Sequence, residues 1–239
     1  MIKKVRYFLF FILLILSLQL FSVDLVSIYD LQFTTVPGFD GTYPSLYINK
    51  TVLVQGIVTA VGYENNRIFI SESQGGAWRS IAIELGSKQV SIGDLIEVQG
   101  KVSEVMGMTV ITQSSNFKRI SRNNFIPEPV HVSVQEALTS ESYESVLVKL
   151  TNIICKKEQE GVYLAVLGDG TTNISIGNGF HNSSLVNYFQ LDESYYQVVG
   201  IINYSFSRFT LHPRDLFDVS RAPVGSQSSS WGKIKSLYR

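Results

Sequence analysis

The chain has 239 residues, 20 basic and 20 acidic, of which 45% are hydrophobic and only 17% charged, with a single cysteine. That apolar content excludes an intrinsically disordered chain, and one cysteine excludes an intramolecular disulfide. The zero net charge hides an uneven distribution: residues 1–22 and 221–239 carry three and four cations and no acid, which leaves 13 basic and 20 acidic residues in 23–220, a formal −7.

Lys3, Lys4 and Arg6 precede an apolar run from Tyr7 to Phe21, followed by the small Ser22. A charged start, a short apolar core and a small residue read as a secretory signal over 1–22. The run is short for a membrane span. No Ala-x-Ala cleavage site is present, so retention as an N-terminal membrane anchor is the alternative. The rest of the chain is therefore expected outside the cytoplasm: periplasmic, cell-surface or extracellular. Residues 23–49 form a lead-in segment.

The chain then repeats one pattern, over about residues 50–121 and 144–220. "TVLVQGIVTAV" (Thr51 to Val61) matches "SVLVKLTNIIC" (Ser145 to Cys155), and "RIFISES" matches "VYLAVLGDG". "RSIAIEL" matches "TNISIGN", and each copy closes on a hairpin. Alternation with period two marks these segments as strands: Ile68 and Ile70 are expected inward, with Arg67, Phe69 and Ser71 outward. Gly93-Asp94 marks a turn, Met106-Gly107-Met108 a hairpin tip, and Gly56 and Gly100 sharp bends or close backbone approaches. Gly168 to Asn173 reads as a β-turn rather than a calcium loop, and Cys155 as a buried hydrophobe.

Five strands in about 70 residues bury their apolar side best as a closed Greek-key barrel. The expected class is all-β: barrels at 50–124 and 144–220, joined by a linker (125–143). There Ser133 and Glu136 have capping-box spacing, which places a short helix over about 134–140. Residues 221–239 read as a flexible basic and aromatic tail. Its Trp231, Ile234 and Leu237 lie three apart beside Lys233, Lys235 and Arg239, a stripe suited to membrane or sorting contact.

"GIVTAV", "RIFISES", "IAIEL" and "VSIGDLIEVQGKVSEVMGMTVIT" together resemble the OB-fold domains of secreted bacterial nucleases and of standalone exported OB-fold proteins. The matching features are Gly56 to Thr59, the Gly93-Asp94 turn, and Glu104 to Gly107 in the last hairpin. The lead-in "VSIYDLQFT" is also similar. In the second copy Leu191-Asp192 stands where the first has Gly93-Asp94. The resemblance implies a nucleic-acid-associated binding fold without the nuclease domain that often accompanies it.

Catalytic patterns are absent from the sequence. His131, His181 and His212 have no ligand-spaced partners, and there is no nucleophile elbow or phosphate loop. The expectation is a non-enzymatic protein with no metal and no cofactor. Single-strand-binding OB folds stack bases on aromatics of strands two and three and track phosphates with cations. The candidates are Arg67, Phe69, Trp78 and Arg79 in the first copy and Tyr163 in the second, with Lys118, Arg119 and Arg122 as a basic cluster after the last strand of the first copy. Phe69 and Tyr163 could instead pack under the linker or against the other barrel. The acidic body argues against tight, non-specific coating of nucleic acid. The expected partners are single-stranded nucleic acid or a separate nuclease; the alternative is an envelope protein or glycan held by a scaffold.

Overall fold

A computed structural model describes residues 23–38, 42–158 and 163–221. The expected signal or anchor and the tail beyond Arg221 lie outside these residues. β1 (Thr51–Tyr63), β2 (Arg67–Ser71), β3 (Ser80–Glu84), β4 (Leu95–Val105) and β5 (Met108–Ser121) form a closed barrel in the order β1-β2-β3-β5-β4. All pairings are antiparallel except β3 with β5. Its interior is filled by β-branched side chains such as Val54, Val58, Ile70, Ile81 and Ile96, which suit a pleated, half-buried surface. A Cβ on Gly100 would lie 2.3 Å from Ile111 Cγ2, and one on Gly56 2.9 Å from Ile70 Cδ1, so both glycines permit close approach.

The second copy repeats the design. β6 (Val130–His131) and α2 (Val134–Thr139) precede β7 (Leu147–Lys157), β8 (Tyr163–Gly168), β9 (Asn173–Gly177), β10 (Ser194–Ser205), β11 (Arg208–His212) and β12 (Val219–Arg221). Strands β7-β8-β9-β11-β10 close into a ring through β10–β7 pairing, with β6 added to β7 and β12 to β10. The chain is thus an all-β protein with two five-stranded barrels of the tandem OB-fold type.

Backbone hydrogen bonds extend the repeat beyond what the sequence displays. Asn49 N–H donates to Val102 and Val102 N–H to Lys50; in the second copy Ser145 donates to Ile202 and Ile202 to Val146. Asn49 and Ser145 both have positive φ, at 66° and 64°. Gly93 and Val58 N–H groups bond reciprocally across Val58 and Asp94, as Asp192 and Cys155 do across Cys155 and Glu193. The counterpart of Gly93-Asp94 is therefore Asp192-Glu193, one residue beyond the sequence alignment. Asp192 takes the left-handed turn position (φ 62°) that Gly93 holds in the first copy (φ 85°), which an aspartate tolerates better than most residues.

The repeat also reaches upstream. α1 (Ile28–Gln32) starts at an N-cap, Ser27, and buries Ile28 and Leu31 under the first barrel. α2 starts at Ser133 with a complete capping box and buries Val134 and Ala137 under the second. A short parallel pairing precedes each helix: Leu25 with Leu53, and Val130 with Val148. What reads as lead-in and linker is the same plug, used twice.

Two expectations are corrected. β5 runs to Ser121, so Lys118 and Arg119 lie within the last strand rather than after it. The strand passes through register shifts and positive-φ positions at Gln113 and Asn116, and these bulges erase the alternation that would have marked it. β2 is buried on both faces, not one. Its outward side is covered by the second barrel, where Phe69, Ala60, Ala82, Val110 and Met108 pack with Leu147, Val199 and Ile201.

Replacing Gly100 with Ala is expected to destabilise the protein by about 1–3 kcal/mol, the typical cost of overpacking. A urea titration should show a lower midpoint at unchanged m-value.

Candidate functional site

The seam between the barrels decides which predicted residues can meet a ligand. Phe69 is fully buried there, its ring edge-on to Tyr63 at 5.4 Å and tilted against Phe180 at 6.2 Å. It is not an open stacking platform, because burial against a second barrel removes it from solvent. Arg67 is also withdrawn: its side chain is 10% exposed and pairs with Glu84 at 3.3 Å. Tyr163 is partly exposed on β8, with the Arg208 guanidinium 5.9 Å from its ring centroid.

Trp78 and Arg79 do come together, in the loop between β2 and β3. α1 and the residue that caps it supply two further rings, Tyr29 and Phe33, stacked at 5.1 Å because positions four apart share a helix face. Phe33 meets Trp78 edge-on at 5.7 Å, and the Arg79 guanidinium lies 4.8 Å from the Tyr29 ring centroid. Glu72 fixes the cluster: it pairs with Arg79 and accepts from the Tyr29 N–H and the Gln74 amide. Trp78 has φ 65°, an unusual conformation for a bulky residue, and its N–H donates to the Ser142 carbonyl of the second unit. Phe33 is 40% exposed.

Tyr29 and Phe33 lie outside the predicted set of site residues. Their signal in the sequence is the Ser27-x-x-Asp30 spacing, which opens a helix, together with aromatics four apart.

A groove of about 670 Å³ is lined by Leu25, Ser27, Asp30, Ile57, Glu72 and Gln74, and it shares Glu72 with the aromatic cluster. Leu95 and Asn124 line it as well, and the exposed Arg122 stands two residues before Asn124 in the chain. The predicted basic cluster is not uniform. Arg119 is committed to the buried Asp94 carboxylate at 2.8 Å, whereas Lys118 and Arg122 are at least partly exposed. The groove wall itself carries Asp30 and Glu72, so the local field is mixed in sign.

A side-chain hydrogen bond and a buried histidine mark the seam. Arg214 forms a bidentate pair with Asp218 (2.7 and 2.9 Å) and donates to the Thr59 carbonyl of the first barrel at 2.8 Å. His212 is fully buried beside Tyr63; its Nδ1 accepts from Gly179 N–H at 3.0 Å and its Nε2 lies 2.8 Å from Thr210 Oγ1. Because Nδ1 accepts, the proton sits on Nε2. Burial pushes the imidazole down to about 3 from 6.5, so it is neutral in the folded state. The unfolded chain therefore binds a proton that the fold refuses, and stability falls as pH drops below about 6.5.

No group of three or more histidine, cysteine or acidic side chains suited to a metal ion occurs among the described residues. In the loop from Gly168 to Asn173, Asp169 Oδ1 accepts from the N–H groups of Thr171 and Thr172 and from the Thr171 hydroxyl, an Asx-turn that leaves the carboxylate occupied. Cys155 is buried.

No family model matches the sequence, and no curated protein matches it. Among solved structures, the fold is similar to a murine DNA-binding protein bound to double-stranded DNA, at 10% identity over 67% of this chain and 92% of that one, with a TM-score of 0.37. It is also similar to the HINb domain of p204, at 12% identity over 66% and 90%, with a TM-score of 0.34. Both likenesses are too distant to assign any residue or ligand to this chain.

Asp218→Ala would leave the Arg214 guanidinium half-buried without its counter-ion. The expected loss is about 3–5 kcal/mol, read as a drop in the urea midpoint.

Proposed function

We propose that this chain is an exported, non-catalytic tandem OB-fold protein that binds single-stranded nucleic acid, acting beside a separate nuclease. The observation that carries the reading is the partly exposed Tyr29–Phe33–Trp78 cluster with Arg79, which shares Glu72 with a groove lined also by Asn124, two residues from Arg122. Aromatic faces serve bases of any sequence, and each stacked base contributes about 1–3 kcal/mol. The cationic contribution is small. Glu72 already neutralises Arg79, which leaves Lys118 and Arg122 for phosphates. Two phosphate contacts correspond to a salt slope of only about −1.4 on a single strand. Binding is therefore stacking-dominated and of moderate strength, in keeping with a body of formal charge −7.

A second reading, an envelope adaptor for a protein partner, is favoured by a different observation. Phe125, Phe217 and Phe206 are 98%, 94% and 82% exposed, and phenylalanine is among the side chains that protein interfaces are enriched in.

A labelled oligothymidylate titrated at low salt separates the readings. The expected result is micromolar binding with a shallow salt slope. Trp78→Ala should weaken it about 5- to 150-fold, the equivalent of one stacked base. Absence of binding at low salt would sink the nucleic-acid reading and leave the adaptor, which retention of an envelope protein by the immobilised chain, lost on Phe125→Ser, would support.

A further inference from the structure

Three glutamates meet where the second unit crosses the β4–β5 hairpin of the first. Glu144 is 3% exposed. Its Oε1 accepts from Thr109 N–H at 3.0 Å, while its Oε2 is buried without a hydrogen-bond partner. Glu104, on β4, accepts from the Thr109 hydroxyl at 2.7 Å and from Ser45 N–H at 3.2 Å. Glu141 opens the 3₁₀ turn Glu141–Tyr143 that leads into Glu144, whose N–H donates to the Glu141 carbonyl at 2.9 Å, and the two carboxyls act on one another. The charges acting on Glu144 are those of Glu141 and Glu104, both repulsive; the groups opposing them are the neutral Thr109 N–H and the Gln32 amide. Gln32 donates its own hydrogen bond to the Ser80 carbonyl at 2.8 Å.

Two more polar atoms are left without partners beside this point, Ser145 Oγ and Asn203 Oδ1. Ser145 N–H bonds to the carbonyl of Ile202, next to Asn203 in sequence. Of the three unpartnered atoms, Glu144 Oε2 and Asn203 Oδ1 are acceptors alone, and a proton on the Glu144 carboxyl turns an unpaired buried acceptor into a donor.

We propose that Glu104, Glu141 and Glu144 form a proton-operated latch between the two barrel units. Protonated, the cluster lets the segment 141–144 close on the hairpin. Ionised, it drives that segment away, and with it Ser142, whose carbonyl anchors Trp78. The geometry agrees with the titration. Burial, followed by the Glu104 charge, pushes Glu141 up to about 7 from 4.5, and burial with both neighbouring charges raises Glu144 well above 4.5. A carboxyl whose proton is held more tightly in the folded state adds stability that is complete below about pH 4.5 and lost as pH rises through the folded value. The latch therefore holds in mild acid and releases from neutrality upward. His212, also at the seam, works in the opposite sense below about 6.5, so the diagnostic quantity is the difference between variants and not the raw profile.

The test uses the full chain carrying Trp231→Phe, which leaves Trp78 as its one tryptophan. Trp78 emission is followed from pH 5 to 9, with thermal melts at each pH. The expected result is a red shift with a midpoint near 7. Over pH 5 to 7 the closing equilibrium should weaken by up to about tenfold per pH unit for each raised carboxyl. Glu141→Gln should flatten the transition while keeping the acid-form emission at pH 8. Glu144→Gln should do the same; if that fully buried variant fails to fold, Glu141→Gln alone decides. Emission that is flat with pH in the parent, or a transition unchanged in Glu141→Gln, would overturn the latch. So would recovery of the acid-form emission at pH 8 on adding millimolar calcium, which would make the cluster a cation site.

Discussion

The fold depends on one apolar contact: the outward face of β2, β3 and the start of β5 is pressed against β7 and β10 of the second barrel. An isolated small barrel buries its interior and wets its outside. Here the first barrel has two buried faces, and Phe69 sits at the centre of the second one. Buried apolar surface contributes about 25 cal/mol per Å², so this contact stabilises the pairing of the two units. The polar ties of Arg214 to Thr59 and of Trp78 to Ser142 then fix its register. This contact also removes Phe69 from solvent, and the partly exposed aromatic cluster stands instead on the loop and helix beside the seam.

The barrels themselves were legible because their strands obey local rules. Val, Ile and Thr alternate with polar residues through β1 and β4, and turn residues separate them. The Ser133–Glu136 capping box located α2 for the same reason, since a cap is a contact within four residues. What was not legible is non-local. Nothing in "RIFIS" indicates that its outward phenylalanine meets another barrel and not water, because period two is identical in both cases. The end of β5 was lost for a different reason: bulges break the period on which the reading rests.

The extent of the repeat was hidden for a third reason. α1 and α2 share no obvious sequence identity, only a serine N-cap and inward apolar residues. Their equivalence lies in main-chain bonds, which side-chain identities do not encode. The same holds for Asp192, which replaces a glycine and keeps its backbone conformation. The candidate site was half legible. Trp78 and Arg79 stood out as aromatic and cationic residues before the third strand. Tyr29 and Phe33 belong to a helical turn that only the tertiary plug stabilises, since so short a segment cannot form a helix alone.

The doubly buried face has a consequence for the order in which the polypeptide is made. The first barrel is complete at Ser121, but its cover arrives with β7 and β10, the latter ending at Ser205. At a synthesis rate of about 5–20 residues per second, this interval lasts on the order of 4–17 s. Throughout it, Phe69, Ala82, Val110 and Met108 stand uncovered on a nascent chain. The N-terminal half is thus a transient client for whatever shields apolar surface during synthesis, and the C-terminal half is its built-in replacement for that escort.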